Sequence, residues 1–317
     1  MAVAFVFPGQ GSQAVGMGKA LAEAFPQARA VFDEVDAALS QKLSALMFEG
    51  PEAELTLTAN AQPALMAVSI AVLRVLEAEA GLNLAREAKF VAGHSLGEYS
   101  ALAAAGAFSL SDAARLLRIR GDAMQKAVPP GEGAMAALLG LELADAREVC
   151  ARAAAETGLV CQVANDNGGG QVVSSGAKAA VERSIELAKE KGAKRGILLP
   201  VSAPFHCALM APAAQAMAQA LAQVEIRAPV VPLVANVLAA PVTDPAEIRA
   251  RLVEQLTGSV RWAESVAFMA AQGVESFYEV GAGKVLSGLV KRIAPNAVGT
   301  PVGAPADVDA FKQRMKS

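Results

Sequence analysis

Apolar residues fall into two kinds of run along this chain, and the two kinds alternate. Short, nearly continuous runs rich in Val, Phe and Leu occupy residues 3–7, 90–92, 232–235 and 276–280. Such runs predict strands buried on both faces of a sheet. Between them lie longer stretches in which apolar residues recur every three or four positions. One passes through Leu65, Val68, Val72 and Leu76, and Asn60 is placed to cap it as a helix. Another begins near Ser111: Ala113, Leu116, Leu117, Met124 and Ala127 share one stripe, while Arg115, Arg118, Asp122, Gln125 and Lys126 lie opposite. Strands alternating with helices predict an α/β fold with a mostly parallel sheet.

Pro129-Pro130-Gly131-Glu132-Gly133 interrupts this rhythm. Beyond it the pattern predicts a strand over 134–139, a helix over 144–155, strands over 160–164 and 171–174, a helix over 177–191 and a strand over 195–200. That β-α-β-β-α-β order is the split arrangement of ferredoxin-like modules. The expected organisation is therefore a large α/β domain of residues 1–127 and 201–317, interrupted by a small ferredoxin-like α+β subdomain of residues 128–200. A chain of 317 residues is long for one core, which suits this division.

Chemistry enters with Gly93-His94-Ser95-Leu96-Gly97, which follows the apolar run 90–92 and precedes the helix-forming stretch 98–105, closed by Gly106. G-x-S-x-G between a strand and a helix is a nucleophile elbow and gives the large domain a hydrolase-like character. A glycine-rich turn without chemistry would use the same letters, so the question is whether a base exists. The chain has two histidines. His94 lies inside the elbow, where its side chain diverges from Ser95. His206 comes from a distant loop between a strand-like run and a helix, as a general base does, although a structural histidine is the alternative. Arg120 sits at the centre of an apolar helix stripe. Burial there is costly unless the guanidinium meets an anion, so it requires either a structural ion pair or an acidic substrate.

Composition narrows the field. The net charge of -3 and a pI near 5.6 are the wrong balance for a general nucleic-acid binder. Cys150, Cys161 and Cys207 form neither metal-ligand spacing nor an even disulfide framework, so they are expected as core residues in a reducing compartment. With 54% hydrophobic but only 4% aromatic residues, the core should be built of small aliphatic side chains. Residues 1–7 are apolar without a basic flank and too few for a signal or a membrane span, so a cytoplasmic, membrane-free protein is expected. Gly281-Ala282-Gly283-Lys284 looks like the end of a phosphate-binding loop, but Tyr278 and Val285 stand where that motif needs Gly and Ser or Thr. It is expected as a strand–helix turn. Gly9-Gln10-Gly11 lacks the third glycine of a dinucleotide fingerprint, and Cys207 has no activating context.

Phe7-Pro8-Gly9-Gln10-Gly11-Ser12-Gln13, Gln62-Pro63-Ala64-Leu65, the elbow extended by Glu98-Tyr99, Phe205-His206 and Glu279-Val280-Gly281 together resemble the malonyl-CoA:acyl carrier protein transacylases of fatty acid synthesis. The likeness spans nearly the whole chain. It implies Ser95 as nucleophile, His206 as base, an oxyanion hole from the backbone amides of Gln10 and Leu96, and Arg120 as partner of the malonyl carboxylate. It implies a backbone carbonyl near Gln255 orienting His206 in place of a carboxylate, and Gln62, Asn165 and Asn167 as polar substrate-site positions. No metal or cofactor is implied; malonyl-CoA and the phosphopantetheine of acyl carrier protein are substrates, and a monomer is expected. Phe205 would crowd a branched acyl chain. Lys189, Lys191, Lys194 and Arg195 are either a solvated face or a contact for the acidic carrier. Gly168-Gly169-Gly170 departs from the proline-containing turn of relatives. A polyketide-pathway acyltransferase, a serine thioesterase or esterase, and a non-catalytic carrier-binding module are the alternatives.

Overall fold

The six residues Ala2–Phe7 form β1, and their side chains alternate between two apolar interiors. Phe5 and Phe7 join Leu65, Val68 and Val91 on one side; Ala4 and Val6 join Trp262, Phe277 and Leu286 on the other. The computed structural model describes residues 2–201 and 203–316, so Met1, Ser202 in the loop leading to His206, and Ser317 lie outside the described residues. The further strands among them are β2 (Ala88–Gly93), β3 (Gly133–Leu139), β4 (Cys161–Asp166), β5 (Gln171–Ala177), β6 (Arg195–Leu198), β7 (Leu233–Ala235), β8 (Ala240–Val242), β9 (Val260–Arg261), β10 (Val274–Val280) and β11 (Val298–Val302).

The larger sheet runs β11-β10-β1-β2-β7-β8. Its first five strands are mutually parallel, and β8 returns antiparallel to β7. This is the mixed α/β fold expected from the apolar runs. The strands without a run of their own are β8 and β9, which are too short to show a period, and β11, an edge strand containing Gly299 and Pro301.

The smaller sheet runs β6-β3-β5-β4-β9. β3, β4, β5 and β6 form an antiparallel ladder, while β9, from much later in the chain, adds in parallel through Asn165↔Val260 and Asp166↔Arg261. Helices Leu143–Thr157 and Lys178–Glu190 cover one face, burying Leu138, Val149, Cys150, Cys161, Val172 and Leu187. The other face sends Met135, Ala164 and Val173 into the main interior, the apolar cluster that also holds Leu96 and Phe205. All three cysteines are buried and free.

Two helices frame the site. The helix Thr58–Ala80 is long and apolar enough to cross a membrane, yet 83% of its most apolar window is buried inside the protein. It begins at Thr58, so Asn60 is not its cap. Instead Asn60 Nδ2 donates to the Glu54 carbonyl (2.8 Å) and Oδ1 accepts from Arg118 Nη1 (2.8 Å): these tertiary partners outcompete the local cap. The helix Leu110–Lys126 is capped by Ser109, whose Oγ accepts from the Asp112 amide. It presses so closely on the start of the first that a Cβ on Gly121 would lie 2.6 Å from Ala59 Cα. That crossing carries the adjacent Arg120 into the interior beside Gln62.

Candidate active site

The elbow is shaped by exclusion. A Cβ on Gly93 would lie 1.9 Å from the Gly97 carbonyl carbon, and one on Gly97 would lie 2.3 Å from the Phe7 carbonyl oxygen. With no room for side chains on either flank, Ser95 turns at φ 54, in the left-handed region. The chain then enters the helix Gly97–Ala104, which ends before Gly106 at φ 75. Asn236, directly after β7, clamps the turn: its Oδ1 accepts from the Ser95 amide (2.8 Å) and its Nδ2 donates to the Gly93 carbonyl (2.7 Å).

Ser95 Oγ lies 2.7 Å from His206 Nε2, and His206 Nδ1 lies 2.8 Å from the Gln255 carbonyl oxygen. A carbonyl only accepts, so Nδ1 carries the ring proton and Nε2 is left as acceptor for the serine hydroxyl. Burial and the positive charge of Arg120 push His206 down from its usual 6.5 to about 3. The ring is thus neutral near pH 7 and able to take a proton from Ser95. His94 points elsewhere, to Asn167 Oδ1 (2.9 Å). Cys207 is turned away, its thiol donating to the Pro204 carbonyl (3.2 Å), and burial pushes its pKa up.

Arg120 is 1% exposed. Its Nη1 donates to Gln62 Oε1 (2.9 Å), and its Nη2 donates to Gln255 Oε1 (2.9 Å) and Ser95 Oγ (3.1 Å). The Tyr99 ring lies 5.7 Å from Cζ. Among the described residues no carboxylate comes within ion-pair distance of it. Of the two explanations for an arginine on an apolar stripe, the structural ion pair is absent among these residues. The guanidinium faces neutral oxygens and a serine hydroxyl, an arrangement able to receive a carboxylate.

Gly9 abuts the elbow, where a Cβ would meet the His94 carbonyl oxygen at 2.8 Å, so the loop after β1 lies alongside Ser95. Within it Gln10 Nε2 donates to Thr58 Oγ1 (3.2 Å). The backbone amides of Gln10 and Leu96 donate to no other group among the described residues. Unspent amides flanking an elbow, one of them at a helix N-terminus, can receive a developing oxyanion. Gln62 Nε2 turns to Met124 Sδ, Asn167 holds His94, and Asn165 Oδ1 is buried without a partner among the described residues. Gly168, Gly169 and Gly170 adopt φ 73, 59 and 71, a run of left-handed residues that closes the β4–β5 hairpin beyond Asn167. Gly281-Ala282-Gly283-Lys284 is a strand–helix turn for a reason beyond its sequence. Buried Glu279 accepts from the amides of Leu286 (3.0 Å) and Ser287 (2.7 Å), occupying the helix end a phosphate would need.

Sequence reasoning misses Asn236 and Glu98. Glu98 is buried one turn past Ser95, and its Oε2 accepts from the Asn236 amide (3.0 Å) and from Gln255 Nε2 (3.0 Å). Burial pushes its carboxyl up to about 7. The signals that could have found them are a carboxylate within a helix of small and apolar residues, and an asparagine closing an apolar strand.

The acyl transferase domain family matches residues 4–299 of the chain. Malonyl CoA-acyl carrier protein transacylase of Bacillus subtilis strain 168 is 49% identical, over 99% of this chain and 97% of that protein. The crystal structure of acyl-carrier-protein-S-malonyltransferase from Bartonella henselae is 58% identical, covers all of both chains and superposes with a TM-score of 0.97. A malonyl-transacylase solved in complex with its type II polyketide acyl-carrier protein is 43% identical, over 99% of this chain and 100% of that one, with a TM-score of 0.95. The chain belongs to the acyl transferase family, and within it to the malonyl CoA-acyl carrier protein transacylases.

Proposed function

We propose that the protein moves a malonyl group from malonyl-CoA to the phosphopantetheine thiol of acyl carrier protein, for fatty acid biosynthesis, by a ping-pong route through an ester on Ser95. The observation that carries this reading is a buried arginine, without an ion-pair partner among the described residues, 3.1 Å from the hydroxyl that His206 activates. Arg120 takes the malonyl carboxylate and so aims the thioester carbonyl at Ser95. Ser95 Oγ attacks as its proton passes to His206 Nε2, and the amides of Gln10 and Leu96 hold the tetrahedral oxyanion. The C–S bond breaks, and the coenzyme A thiolate leaves with the proton from His206. In the second half the carrier thiol gives its proton to His206 and attacks the ester carbonyl; the C–O bond to Ser95 breaks, and His206 returns the proton to Ser95 Oγ. Gln62 and Asn167 act behind the reacting groups, by holding Arg120 and His94. Phe205, buried beside His206, supplies bulk against branched acyl chains.

No metal or redox cofactor enters these steps. Residues 128–200 are assigned as a small subdomain roofing the cleft on the large domain of residues 1–127 and 201–317, and the surroundings of acyl-CoA metabolism point to the cytoplasm. Mass spectrometry after brief exposure to malonyl-CoA tests the reading: a malonyl adduct on wild type that is absent from Ser95→Ala is expected. Release of free malonate instead would make the protein a hydrolase, and no reaction would leave a binding module. A labelled Ser95→Ala protein would refute the nucleophile.

A further inference from the structure

We propose that Glu98 is a positioning residue for malonyl selectivity, which sets the pose of Arg120 by fixing which end of the Gln255 amide faces it. The inference rests on the assignment of Arg120 to the malonyl carboxylate. Glu98 is 1% exposed, in the helix Gly97–Ala104, and forms no ion pair among the described residues. A carboxylate buried without a cation opposes folding, so its presence calls for a task that an apolar side chain cannot perform.

The task is visible in the contacts of Gln255, itself fully buried. A glutamine amide has two unlike ends, one that only donates and one that only accepts. Around Nε2 stand three acceptors: Glu98 Oε2 (3.0 Å), the Ser95 carbonyl (3.0 Å) and Asn236 Oδ1 (3.3 Å). They keep the NH₂ end away from the guanidinium and leave Oε1 to accept from Arg120 Nη2 at 2.9 Å. A reversed amide would set donors against donors. Asn236 Oδ1 stands farther off and also accepts from the Ser95 amide, and the Ser95 carbonyl belongs to the backbone of the elbow, so Glu98 Oε2, which accepts from the Asn236 amide as well, is the nearest side-chain acceptor that sets this orientation. What matters is an acceptor at the right reach. A protonated carboxyl still offers its carbonyl oxygen, so the device works on either side of the elevated pKa. Glu98 Oε2 also accepts from the Asn236 amide (3.0 Å), but the elbow is clamped by the Asn236 side chain through bonds to the Ser95 amide and the Gly93 carbonyl in which Glu98 takes no part, so loosening Glu98 should disturb Arg120 more than Ser95.

Two conservative variants separate reach from charge. Glu98→Gln keeps the reach and an acceptor oxygen but loses the charge; Glu98→Asp keeps the charge and withdraws the oxygen by one methylene. The measurement is kcat/KM for malonyl-CoA and acetyl-CoA, with melting temperature alongside. Glu98→Gln should keep the malonyl-to-acetyl ratio within about threefold of wild type. Glu98→Asp should lower that ratio roughly 10- to 100-fold, the scale of a 1 Å misplacement, chiefly through a raised KM for malonyl-CoA. If Glu98→Asp fails to fold, Glu98→Met removes the acceptor at constant length and carries the same expectation. An unchanged ratio in the acceptor-deficient variant, equal loss of both substrates, or collapse in Glu98→Gln alone would overturn the proposal. Failure of the underlying functional reading would look different: wild type itself would show no malonyl preference.

Discussion

In the smaller sheet the buried hydroxyls of Ser174 and Ser184 settle their bonds locally, Ser174 Oγ meeting Ser184 Oγ at 3.1 Å and Ser184 donating to the Val181 carbonyl at 2.7 Å, and the buried Asp166 carboxylate accepts from the nearby Gly168 amide at 3.1 Å. At the carboxyl ends of the larger sheet the buried set is a guanidinium, a carboxylate, an imidazole and the amides of Gln62, Asn236 and Gln255, joined across segments far apart in the chain. Burying hydroxyls with partners is nearly neutral, whereas burying charges without a mutual ion pair works against folding. The hydroxyl pair of the smaller sheet can therefore be explained by packing alone. The charged set at the larger sheet's end cannot, and its excess coincides with the proposed acyl site.

The sharpest way to break this contrast is at the imidazole. His206→Ala should slow both half-reactions roughly 10²- to 10⁴-fold, the usual contribution of a general base. Stopped-flow measurement of each half-reaction checks this, and a loss confined to one half would remove His206 from its shared role. Because the folded ring is held at about 3, wild-type kcat/KM should not fall as pH drops through 6.5.

Next comes the guanidinium. Losing one partner of a buried charge pair costs about 2 to 5 kcal/mol, so Arg120→Ala should reduce malonyl transfer roughly 30- to 5,000-fold. Acetyl transfer, with no carboxylate to lose, should hold or rise, and Arg120→Lys should retain part of the preference because it keeps the charge without the fork. An unchanged ratio of the two kcat/KM values would return Arg120 to a structural role.

For the smaller sheet the expected effect is on stability alone. Leu138 is fully buried between β3 and its covering helices, and Leu138→Ala should destabilise by about 2 to 5 kcal/mol with the malonyl-to-acetyl ratio unchanged. Urea unfolding with parallel kinetics checks both halves. A shifted ratio would mean that packing in the smaller sheet reaches the acyl site.

The smallest expected effect is in the pH dependence of stability. Burial raises the Glu98 pKa to about 7 from 4.5, so between those values the folded protein binds more protons than the unfolded chain, and this contribution grows as pH falls. His206 has the opposite sign: its depressed folded value makes the unfolded chain the better proton binder from 6.5 down to about 3, and stability is lost as pH falls. Glu98→Gln removes only the first. Wild type should gain on the variant as pH is lowered from 7 to 5, by on the order of 1 kcal/mol per unit at most. Parallel stability curves would place Glu98 as ionised throughout.

Much of the fold and the core of the site are legible in the amino-acid sequence alone. Gly93, Ser95 and Gly97 declare themselves because steric need at a sharp turn leaves few allowed residues, and Arg120 because a charge on an apolar stripe is conspicuous locally. The β-α-β-β-α-β order of the smaller sheet follows from element type alone. Gln255 is reachable only through family resemblance, since what meets His206 Nδ1 is a backbone carbonyl that no side chain announces. Its side-chain bridge between Arg120 and Glu98, and the Asn236 clamp on the elbow, depend on contacts more than a hundred residues apart in sequence for which no local pattern exists. Asn60 departs from its expected cap because capping preference is a local rule, and Arg118 offers it a better bond.

The left-handed backbone at Ser95 also limits which residues can replace it by mutation. A β-branched side chain is a severe outlier at positive φ, so threonine, one methyl group away, is a closed door at this position even though its hydroxyl has the same chemistry. Cysteine, unbranched at Cβ, would fit the same turn. The elbow therefore acts as an evolutionary filter on side-chain shape before it acts on reactivity, and it leaves sulfur a more accessible successor to this serine than another alcohol.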